Sequence, residues 1–177
     1  SETLIRSDTL TAAIMQAWAS LGKPEWIAET PGFTVSGLFP FIAGKDDYVY
    51  FFPKPVKDKI PPGLPSGLIK KFRKVKYYQT ELFEQRLTGQ IMVESTEQIK
   101  GDYLVVPGTG EQPQIYSSAV VPRIMRPRNP SEDSVPFYME KLYFHENAGL
   151  FFVLKTENEE EKSRFFEGLK FLSECGI

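Results

Sequence analysis

The chain has 177 residues, 41% hydrophobic and 25% charged, enough apolar mass for one sizeable domain or two small ones. A single cysteine, Cys175, excludes an internal disulfide framework and suits a reducing cytoplasm; with one histidine, His145, it also excludes a zinc site built from those residue types alone. No apolar run approaches the ~20 residues of a membrane-spanning helix, and Ser1-Glu-Thr-Leu-Ile-Arg6 has neither the basic nor the apolar segment of a secretory signal, so no membrane partner is expected.

Ser7 is placed to cap the first helix and Asp8 to face its positive dipole end. Leu10, Ala13, Ile14, Ala17, Trp18 and Leu21 then recur at helical spacing, and Gly22 supplies a left-handed exit. Phe33–Ile42 and Asp47–Phe52 read as strands around a Gly44–Asp47 turn. Lys54–Gly67 carries four prolines, with Pro53 just before it, and is expected to cross as a stiff extended segment. Leu68–Tyr78 has the pattern of a short basic helix, and Thr80–Gln90 is amphipathic and polar. Ile91–Val93 and Asp102–Val106 look strand-like, with a turn at Pro107–Gly110.

A second module is expected from residue 113. Ser118–Met125 reads as a strand, and Phe137–Phe144 with Gly149–Leu154 as a hairpin. Thr156 and Glu159 form a capping box for a helix with Phe165, Phe166, Leu169 and Leu172 on one side, stopped by Gly176. The order of elements predicts an α+β chain of two ferredoxin-like modules, 1–112 and 113–177. Each lacks a strand: one is expected before the first helix and one after the last.

Charge is segregated along the chain. Lys54 to Lys76 holds eight bases (Lys54, Lys57, Lys59, Lys70, Lys71, Arg73, Lys74, Lys76) against one acid, Asp58. Gln112 to Pro130 holds Arg123, Arg126 and Arg128 and no acid. By subtraction from the net −2, these stretches of +7 and +3 leave −12 elsewhere. Such local basic faces on an acidic chain suit nucleic acid. Lys70, Lys71, Arg73, Lys74 and Lys76 can hold phosphates while Phe72, Tyr77 and Tyr78 stack on bases; alternatively the lysines only solvate a helix whose Phe72 and Val75 face a core. Guanidinium groups bind phosphate in bidentate fashion, which favours the three arginines, although strand alternation separates Arg123 from Arg126 unless a bulge intervenes. Lys54 sits at a strand end beside prolines, where function often collects.

Ser7-Asp8-Thr9-Leu10 before an Ala17-Trp18 helix resembles the first helix of the RAMP proteins, the repeat-associated family of CRISPR effectors. Val35-Ser-Gly-Leu-Phe-Pro-Phe41, Tyr50-Phe-Phe-Pro-Lys-Pro55, Pro122-Arg-Ile-Met-Arg126 and Ala148-Gly-Leu-Phe-Phe152 together resemble the type III-A, Csm-type subunit that caps the guide RNA's 5′-handle end. The resemblance implies a subunit without cofactor or catalytic residues. Its implied partners are guide RNA, the large polymerase-like subunit and an adjacent backbone RAMP subunit, with target RNA met indirectly. It also implies a hairpin near Asn129–Asp133 that wedges into the guide–target duplex, and a glycine-rich RNA-holding loop after Ile177. The family's usual Asp-Arg is here Arg126-Pro-Arg128, so the equivalence of Arg128 is weakened.

Rival readings are a subunit of a Cmr-type complex, a protein scaffold without RNA contact, and a metal-independent RAMP endoribonuclease using His145 as general base. His145 at a hairpin tip beside Glu146 is also an ordinary turn residue. Asp46-Asp47 reads as a turn pair and not a metal site; Pro107–Gly110 lacks the lysine and strand–helix setting of a phosphate loop.

Overall fold

The computed structural model describes residues 5–27, 30–44, 47–56, 58–61, 64–89, 93, 95–128 and 133–175. These form an α+β chain that separates into two compact units: Ser1–Phe39 with Leu150–Ile177, and Pro40–Gly149. The split differs from the expected boundary at residue 112. Strand pairing explains why: β1 (Phe33–Val35) pairs antiparallel with β10 (Leu154–Thr156), joining the two ends of the chain in one unit.

In that unit, α1 (Ser7–Ser20) buries Leu10, Ile14, Ala17 and Trp18, as its apolar spacing requires. Ser7 is its first residue and not its cap; Arg6 precedes it in extended conformation without a side-chain cap bond. Gly22, at φ 74°, takes the exit. α4 (Glu159–Glu174) is capped by Asn158, whose side chain accepts from the Glu161 N–H at 2.9 Å, while Thr156 ends β10. Asn caps well because its short amide reaches the free N–H groups of the first turn, and three glutamates there suit the dipole. Phe165 and Leu172 turn inward but Phe166, one residue round the helix, is exposed. Trp18 centres this core: Nε1 donates to the Arg164 carbonyl at 2.8 Å, and its ring meets Trp26 and Phe33 edge-on.

The second unit is built on strands ordered β5-β6-β4-β3-β2-β9. They are β2 (Phe39–Ala43), β3 (Tyr48–Pro53), β4 (Tyr77–Gln79), β5 (Ile99–Lys100), β6 (Tyr103–Leu104) and β9 (Ala148–Phe151). The expected Phe33–Ile42 strand is thus two, parted at Ser36-Gly37, because β1 and β2 take different partners. Within the unit, α2 (Ser66–Lys74) and α3 (Thr80–Leu87) cover one sheet face, where Phe72, Val75, Tyr78, Leu82 and Leu104 form a cluster. Phe51, Tyr103, Val105 and Ile115 form another. A fully buried aromatic such as Phe72 contributes about 1.5–3 kcal/mol by burial alone.

β7 (Tyr116–Met125) and β8 (Val135–Phe144) make a separate two-stranded antiparallel ribbon in continuous register. The expected hairpin of 137–144 with 149–154 is not formed: β8 spends its backbone groups on β7, and Ala148 N–H donates to the His145 carbonyl in a tight turn. The Gly44–Asp47 turn interior, Ile91 and Met92, residues 129–132 and Gly176 lie outside the described residues. No described helix is long and apolar enough to cross a membrane.

Candidate nucleic-acid interface

The basic stretch 54–76 is sorted by burial. Leu68 and Phe72 face the core from α2, so at 100° per residue Lys70, Arg73 and Lys74 fall on the opposite side; all are exposed, with Lys71 on the shoulder. Lys71, Arg73 and Lys74 also occupy the last turn, where cations complement the helix dipole. Lys76 follows the helix and pairs with Asp102 at 2.8 Å, both about half-exposed. Lys57 lies outside the described residues.

Lys54 is held inside the unit. Its Nζ donates to the Phe72 carbonyl at 3.0 Å, lies 4.2 Å from the Phe72 ring centroid and stands 3.7 Å from Asp58 Oδ2. Burial lowers its pKa below the usual 10.5, partly offset by Asp58. Asp58, the lone acid of the stretch, has a side chain only 1% exposed. It accepts from the Tyr78 hydroxyl and forms an ion pair with Arg86 Nε. Sequence reasoning missed this centre; the signal was a single acid surviving among eight bases. Lys54 is therefore a structural cation, and the solvent-facing cations of the segment include those of α2.

The arginines are arranged differently. Arg123 is on β7 opposite Phe137, with Val121, Met139, Met125 and Val135 on the same ribbon face. The register runs unbroken to Met125, so no bulge turns Arg123, and Arg126 falls just beyond the strand; Arg123, Arg126 and Arg128 are all exposed. Tyr116 at the ribbon's base lies close enough to Tyr77 and Tyr103 to add to the upward shift that burial gives both. Arg123 is seven residues further along, about 23 Å of strand. The arginines thus stand at the ribbon end away from Tyr116.

Two of the aromatics expected to stack on bases are unavailable to solvent: Phe72 is 1% and Tyr78 0% exposed, and Tyr77 is half-buried. Exposed rings occur instead on the ribbon, where Tyr138 is 77% accessible, and at Tyr48, 55% accessible and stacked 6.1 Å from Tyr50. His145 is exposed in the turn after β8, its backbone N–H donating to the Ile115 carbonyl. Among the described residues no group of three or more His, Cys, Asp or Glu side chains could hold a metal.

The fold is a mixed α/β chain with basic, solvent-facing side chains on a helix and a ribbon. Over 97% of its length the chain is 25% identical to the CRISPR system protein Csm4 of Thermococcus onnurineus (strain NA1), of which it spans 57%. Among solved structures, a chain of the Csm1–Csm4 cassette in complex with cA4 matches with a TM-score of 0.63 and 24% identity, covering 97% of this chain and 61% of that one. A chain of the Csm3–Csm4 subcomplex of the type III-A CRISPR-Cas interference complex matches with a TM-score of 0.68 and 14% identity, covering 98% and 60%. No protein-family model matches. The Csm-type resemblance carried by the motifs therefore extends over nearly the whole chain.

Proposed function

We propose that the chain acts as a non-catalytic RNA-binding part of a type III-A CRISPR effector. In this reading it holds the 5′ handle of the guide RNA and bridges the large polymerase-like subunit to the backbone RAMP filament. In fold terms, the proposal takes the chain as two ferredoxin-like modules. The observation that carries RNA binding is the outer face of α2, where Lys70, Arg73 and Lys74 are exposed opposite buried Leu68 and Phe72. Similarity to Csm4 over 97% of the chain supports the effector setting, and solved relatives assembled with Csm1 and with Csm3 support the bridging role.

The α2 cations act as point charges that fix the path of the RNA backbone, while Arg123, Arg126 and Arg128 add bidentate phosphate contacts and planar faces for unstacked bases. Phosphate contacts set register without reading sequence, so preference for a handle must come from splayed bases. Filter binding of guide RNAs with and without the handle tests this: tighter binding of the handle RNA is expected, and equal affinity would remove handle recognition. If all six cations reach phosphates, the logarithmic salt slope is about −4 for a single strand. Guide precursor incubated with the protein in EDTA is expected to stay intact; cleavage abolished by His145→Ala would replace the proposal with an endoribonuclease.

A further inference from the structure

We infer that Asp58 is a positioning residue for the basic face of α2, acting through Lys54 to lock the proline-rich crossing and the end of that helix together. The inference rests on the RNA-binding reading above and deepens it. Asp58 gathers contacts from three elements around one buried carboxylate: the Tyr78 hydroxyl of β4, Lys54 Nζ just past β3, and Arg86 Nε of α3. Its own N–H donates to the Pro55 carbonyl at 3.0 Å, and Arg86 Nη2 donates to the Lys59 carbonyl at 3.2 Å. The crossing is thereby held on both sides of Asp58.

The link to α2 is Lys54. Its ammonium, drawn towards Asp58, donates to the carbonyl of Phe72 in the last helical turn. The Phe72 carbonyl also accepts the N–H of Val75 at 3.2 Å and stands at the negative end of the helix dipole, where a buried cation complements it. Arg73 and Lys74 are the next two residues, and Lys70 lies a half-turn before Phe72 on the outer side. Asp58 also separates two cations: without its charge, Lys54 and Arg86 would repel one another in a place shielded from water. Proline restricts the crossing but cannot fix which way a helix end points; the Asp58–Lys54–Phe72 chain does that.

The test uses Asp58→Asn, Lys54→Met and the double variant, with a handle-bearing guide RNA bound over a salt series at a temperature where each protein is folded. Each single variant is expected to weaken binding about tenfold and to flatten the salt slope by about 2, the loss of three single-strand phosphate contacts. The double variant is expected to bind no more weakly than either single, because both act through one path. Lys54→Met leaves Asp58 paired with Arg86 and keeps the aliphatic stem buried, so it reports even if Asp58→Asn fails to fold. A Lys70→Gln, Arg73→Gln, Lys74→Gln variant separates the two ideas. If it binds like the unaltered protein, α2 is not an RNA surface and the inference falls with that reading. If it loses binding while folded Asp58→Asn and Lys54→Met keep full affinity and slope, the reading stands and the positioning role is overturned.

Discussion

Around Asp58, two cations and a phenol converge on one carboxylate shielded from water, whereas along β7–β8 cations and aromatic rings face solvent from both sides of a ribbon. The first region is anchored to a core: Tyr78 and Phe72, which touch the network, belong to one buried cluster. The second is a lone pair of ten-residue strands on which Val120, Ile124, Tyr138 and Tyr143 are all exposed. Two strands alone are marginal in water, and contiguous exposed apolar surface marks a site of association. A cation next to a core is thus drawn into structure, while a cation on a ribbon is presented. Substitutions should separate the two regions by what they damage: stability, with binding affected through α2, in the first, and binding alone in the second.

The largest contrast is in stability. Asp58→Ala leaves Lys54 and Arg86 without their shared counter-charge and is expected to cost about 3–5 kcal/mol. Phe72→Ala, which empties the adjoining core, is expected to cost about 3–5 kcal/mol. Arg123→Ala, exposed on the ribbon, should stay within about 0.5 kcal/mol. Urea denaturation of the three proteins measures this, and similar losses would end the distinction.

Alkaline pH probes the anchored region next. Burial raises Tyr78 and Tyr103 above the ordinary value of 10, helped by the Asp58 hydrogen bond at Tyr78 and by Tyr77 at Tyr103. The unfolded chain releases these protons near pH 10 while the folded chain keeps them, so the stability they contribute is complete below pH 10 and falls as pH rises beyond it. Lys54 has the opposite sign. Burial lowers its pKa, the unfolded chain binds that proton more tightly, and its contribution improves with pH up to 10.5. With more than one phenol against one amine, stability is expected to decline above pH 10, and Tyr103→Phe to flatten the decline in denaturation midpoints.

The contrast also marks how far the chain could be read in advance. Helices α1 and α4 were legible because Leu10, Ile14, Ala17 and Trp18, and Phe165 with Leu172, repeat at a local period. Strand partners were not: β8 was expected beside residues 149–154 but pairs with β7, and β1 with β10, choices set by contacts far apart in sequence. The charged stretches were visible as composition, yet burial decides what a charge does. Lys54 and Lys70 are the same residue type in one run; one bonds to a helix end and the other faces water. Asp58 gave no motif, because its three side-chain partners are drawn from positions 54, 78 and 86.

On the ribbon, replacing Arg123, Arg126 and Arg128 together by Gln should leave the denaturation midpoint unchanged and reduce the salt slope of RNA binding by about 2, from three phosphate contacts at ~0.7 each. An unchanged slope would transfer the ribbon from RNA to a protein partner, which its apolar faces also suit.

The smallest expected effect lies where the two regions adjoin. Lys76 pairs with Asp102 beside Tyr77, whose neighbour Tyr116 begins the ribbon. Both side chains are nearly half in water, so the pair is worth at most about 1 kcal/mol and weakens with salt. Asp102→Asn removes the competing carboxylate and leaves Lys76 more attractive to a phosphate. Handle-RNA affinity is therefore expected to rise about two- to fivefold at low salt, the equivalent of that pair energy, and to return to the parent value as salt screens it. A fall in affinity would mean that Asp102 holds Lys76 in its binding position, and the anchored region would then extend to the ribbon's base.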